Sequence, residues 1–147
     1  MPTSKILLDD RILIATLAGE HVALDWRAES FTTSYFYYRA CRAFVLGAAG
    51  QLSGPFELLD DDRKARATAT LLTLPDNIGL PVPRQIVPVM AGVHRRHPHL
   101  NVLNTEAAAA ALLLDAEMQL SPPTASGQLE SVLADEGIAW RIIELAL

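Results

Sequence analysis

The residues most able to do chemistry in this chain are acidic and sparse. Asp9 and Asp10 stand together behind an apolar run, and Glu106 and Glu117 follow far downstream. Carboxylates at such positions hold hard divalent cations or serve as general bases, since Mg²⁺ and Mn²⁺ take oxygen ligands and a bound water must be activated. A plainer reading is also open, because an acid directly after a strand often caps the helix that follows it. Asp9 continues the strand and is the stronger candidate for a crevice at the strand's carboxyl end, with Asp10 free for the cap.

Two other groups invite a functional reading. Tyr35, Arg39 and Arg42 are four and seven positions apart and share one helical face, an arrangement that can stack bases and touch phosphate or a protein partner. The ordinary alternative places Phe36, Ala40, Ala43 and Phe44 in the core, with the tyrosines at its rim. His94, His97 and His99 lie close together, but zinc needs further ligands and the only other histidine is His21. Arg95 and Arg96 suit a basic helix end that complements the dipole or contacts phosphate. Neither a phosphate-binding Gly-x-x-x-x-Gly-Lys-Ser/Thr loop nor a Gly-x-Ser-x-Gly elbow occurs.

The elements that must position these residues can be read from periodicity. Ile6-Leu7-Leu8 reads as a buried strand, and Arg11 to Leu17 as a helix closed by Gly19. Thr32-Thr33-Ser34 can cap a helix from Tyr35 to Ala49, closed by Gly50. Asp60-Asp61-Asp62 opens a helix to about Leu74, with Arg63, Lys64 and Arg66 on its wet side. Pro75 to Pro83 reads as a stiff connection into a helix from Arg84 to Arg96, where Pro88 predicts a kink or an early stop. Asn104 or Thr105 can cap an alanine-rich helix from Glu106 to Ala116. Met118 to Leu120 reads as a strand, Leu129 to Glu136 as a helix with Gly137 as its cap, and Ala139 to Ile143 as a last strand. The late alternation of helix and strand implies crossovers, hence an α/β fold with a mostly parallel sheet flanked by helices.

The 147 residues suit one domain and a real core, and half of them are hydrophobic. A net charge of −5 gives no general attraction for nucleic acid, so RNA binding would need a local basic patch. A single cysteine, Cys41, excludes an internal disulfide and fits a small core position in a reducing compartment. No apolar run reaches membrane-spanning length, and the amino-terminal run is too short for a signal core. A cytoplasmic protein without membrane contact is expected.

In this order of elements the chain resembles the PIN-domain family, which includes the VapC-type toxin ribonucleases. The resemblance rests on Ile6-Leu7-Leu8-Asp9, on Thr32-Thr33-Ser34-Tyr35, on Leu103-Asn104-Thr105-Glu106 with Met118-Gln119-Leu120 and the loop from Ser121 to Leu129, and on Gly137-Ile138-Ala139-Trp140. It implies a three-layer fold and a site of three or four carboxylates holding Mg²⁺ or Mn²⁺. Asp9 or Asp10 fills the first position, and Asp9 would be the metal ligand. The second falls near Tyr38 or Arg39, the third on Asn104 with Glu106 nearby, and the fourth around Ser126. Neutral or basic residues thus stand where acids are needed, and Arg39 opposes a cation. The expectation is a degenerate site without a cofactor, in a protein that acts as a homodimer or through an antitoxin-like protein or RNA. The alternatives are an active Mg²⁺- or Mn²⁺-dependent ribonuclease built on Asp9, Asp10, Glu106 and Glu117, and an unrelated α/β interaction protein.

Overall fold

In the computed structural model, residues 4–18, 27–45 and 60–144 are described. Among these residues five strands form one sheet: β1 (Lys5–Leu8), β2 (Glu29–Phe31), β3 (Ile78–Gly79), β4 (Glu117–Leu120) and β5 (Trp140–Ile142). All pairings are parallel, in the order β3-β2-β1-β4-β5. The six helices among the described residues are α1 (Asp10–Leu17), α2 (Ser34–Val45), α3 (Asp61–Leu72), α4 (Pro83–Arg96), α5 (Val102–Leu114) and α6 (Gly127–Asp135). The fold is a three-layer α/β arrangement, as the sequence predicts.

Alternation along β1 builds the layers. Leu7 enters one core with residues of α4, α5 and α6, while Ile6 and Leu8 turn to the other face beside Ile12 of α1. Both faces of β1 are buried, which explains its unbroken apolar run. A further cluster joins Leu13 and Ile14 of α1 to Ala40 and Phe44 of α2, Leu71 of α3 and Ile78 of β3. The middle of α5, Ala107 to Ala111, is fully buried between α4, β1, α2 and α6.

Several boundaries differ from the sequence expectation. The sequence pattern does not predict β2 and β3: three and two residues long, they are strands because β1 and β2 supply their backbone partners. α4 continues through Pro88. The carbonyl that loses its partner belongs to Arg84, which is exposed in the first turn and open to water. α5 begins at Val102, earlier than Glu106, because Asn101 is its cap: the side chain accepts from Asn104 N–H at 2.8 Å. Asn104 therefore lies inside the first turn. Gly137 follows α6 at φ +71°, the left-handed conformation that glycine adopts without strain. Gly19 and Gly50, expected as helix stops, lie outside the described residues.

Candidate functional site

The sheet order reverses direction between β1 and β4: the chain first runs outward through β2 and β3, then crosses to β4 and β5. In open parallel sheets such a switch leaves a crevice at the carboxyl ends of the two strands. Asp9 and Asp10 follow β1 there, and Ser121 follows β4.

The two acids divide their work in the order opposite to expectation. Asp9 is fully buried and caps α1, its Oδ1 accepting from Ile12 N–H at 2.9 Å. Its Oδ2 accepts from Ser121 N–H at 2.7 Å and from Ser121 Oγ at 2.6 Å. One carboxylate thus satisfies a helix end and ties β1 to the loop after β4. It is Asp10 that reaches the crevice.

Asp10 lines a cleft of about 290 Å³ together with Arg39 of α2, Asn101 and Asn104 of α5, and Thr124, Ser126 and Gln128 around the start of α6. Its Oδ1 accepts from Arg11 N–H at 2.9 Å. Its Oδ2 lies 3.2 Å from Arg39 Nε, yet the two atoms are misaligned and neither has a hydrogen-bond partner among the described residues. Burial raises the Asp10 pKa from 3.8 to about 6; the neighbouring Asp9 charge adds to the rise and Arg39 opposes it.

The remaining expected residues fall as follows. Arg39, Asn104 and Ser126 meet Asp10 in the cleft. Ser126 also caps α6, its Oγ accepting from Leu129 N–H at 3.2 Å. Glu106 is buried and does not line the cleft; its Oε1 accepts from Tyr35 N–H at 2.9 Å, joining α5 to the first turn of α2. Thr33 caps the same turn, accepting from Phe36 N–H at 3.0 Å. Glu117 sits at the opposite end of β4, hydrogen-bonded to the Gln119 amide and 3.6 Å from Arg141 Nε. Among the described residues no three His, Cys, Asp or Glu side chains converge on one point.

Tyr35, Arg39 and Arg42 line a neighbouring hollow of about 370 Å³ with Asn101, Val102 and Leu103. Arg39, Asn101 and Leu103 border both spaces, so the two lie side by side. Tyr35 and Tyr38 stack with ring centroids 6.0 Å apart, and Arg42 lies 5.9 Å over the Tyr38 ring. The other face of α2, Phe36, Ala40, Ala43 and Phe44, is core. Tyr37 OH donates to Leu71 C=O at 2.6 Å, which anchors α2 on α3.

Of the three clustered histidines, His97 has a structural role. Arg96 makes a bidentate pair with Glu136, Nη2 donating to Oε1 at 2.6 Å and Nε to Oε2 at 3.0 Å, and His97 Nε2 lies 3.4 Å from the same carboxylate. Arg96 holds the Glu136 carboxyl below its usual pKa. This clamp joins the end of α4 to the end of α6. Sequence reasoning did not single out Ser121, Thr124 or Gln128; the signal for Ser121 is its place directly after β4, equivalent to that of Asp9 after β1.

The chain matches no protein-family model and no curated protein. No helix among the described residues is long and apolar enough to cross a membrane.

Proposed function

We propose that this chain is a PIN-like domain that has lost metal-dependent ribonuclease catalysis and works by binding protein or RNA. The observation that carries this reading is the placement of Arg39 Nε 3.2 Å from Asp10 Oδ2, in a cleft whose lining also includes Arg11, Asn104 and Ser126 and no second acid among the described residues. Metal-ion hydrolysis requires several carboxylates around a cation. Here Asp9 is turned inward onto Ile12 and Ser121, and Asp10 faces a guanidinium. This donor set does not fit Mg²⁺ or Mn²⁺, and no catalytic step is assigned to a metal. The all-parallel order with its crevice between β1 and β4 is compatible with the resemblance but is shared by unrelated folds.

In this reading the Tyr35–Arg39–Arg42 face is the contact surface, because it joins exposed aromatic area to positive charge beside the cleft. The partner is RNA, an antitoxin-like protein or a second copy of the chain, in the cytoplasm. The test is calorimetric Mn²⁺ titration with a parallel RNA-cleavage assay on the wild type, Asp10→Asn and the double variant Arg39→Glu/Asn104→Asp. The wild type is expected to show neither binding nor cleavage, whereas the double variant, with three carboxylates around the cleft, gains Mn²⁺ binding. Mn²⁺-dependent cleavage by the wild type that Asp10→Asn abolishes would overturn the proposal.

A further inference from the structure

We draw no further inference here: the strongest candidate, the cavity of about 620 Å³ at the amino ends of β1, β4 and β5, carries nothing because its Glu117 and Glu136 carboxylates already face Arg141 and Arg96 and nothing in the structure shows what would fill it.

Discussion

The two sides of the β1–α1 junction hold adjacent aspartates in contrasting surroundings. On the inner side Asp9 accepts three hydrogen bonds from neutral donors and leaves no oxygen exposed. On the outer side Asp10, equally buried, meets a guanidinium that is near enough for Coulomb attraction and misaligned for a hydrogen bond. The inner acid holds the fold together; the outer one carries a cost that a bound group could relieve. Adjacent identical residues thus separate structure from binding capacity, and the separation is set by which donors the backbone brings to each carboxylate.

The largest test removes the inner acid. Asp9→Ala deletes a helix cap and strands two buried donors on Ser121, at an expected cost of about 4 kcal/mol in unfolding free energy. Urea denaturation checks this, and a loss under about 1 kcal/mol would break the contrast.

The second test titrates the outer acid. Because the folded-state pKa of Asp10 is raised from 3.8 to about 6, its stabilising contribution is complete below pH 3.8 and is lost as the pH rises through about 6. That rise corresponds to about 3 kcal/mol. Asp10→Asn abolishes the titration, so the stability difference between variant and wild type should move in the variant's favour by about that amount from acid to neutral pH. A pH-independent difference in urea unfolding would mean that Asp10 is solvated like an ordinary carboxylate.

The smallest effect is expected far from the junction, at the Arg96–Glu136 clamp. Its geometry is better than that of the Arg39–Asp10 pair, yet it lies toward solvent, where screening removes most of its value. The lowered Glu136 pKa gives it stability above the usual carboxylate range that fades on acidification. Glu136→Gln should lower the melting temperature slightly at low salt and scarcely at all at high salt. An effect rivalling that of Asp9→Ala would show that the clamp contributes more than its exposure implies.

Much of this architecture was legible in the residues. The apolar run of β1, the acidic start of α3, the core face of α2 and the glycine after α6 each follow from local pattern and capping chemistry. β2 and β3 were not legible, since Glu29-Ser30-Phe31 and Ile78-Gly79 carry no alternation of their own and pair only because longer neighbours supply a template. The start of α5 is ambiguous in sequence because Asn101 and Asn104 are equally able caps, and only the turn geometry decides between them. The roles of Asp9 and Asp10 were exchanged for a similar reason. Adjacency shows that one acid caps α1, but which one does depends on Ser121, distant in the chain and adjacent in the fold. The residues proposed for the degenerate positions lie on two helices and in the cap of a third, Arg39 on α2, Asn104 on α5 and Ser126 before α6, and no local pattern could have joined them.

The buried alanines of α5 have a consequence for how this protein can change. From Ala107 to Ala111 the helix itself has no long side chain that could adjust its rotamer, and its methyl groups are buried against tightly packed neighbours. A bulkier residue in that stretch, such as Ala109→Leu, must move the helix as a body. Asn101, Leu103 and Asn104 move with it, so the width of the cleft is calibrated by methyl groups that never touch its contents.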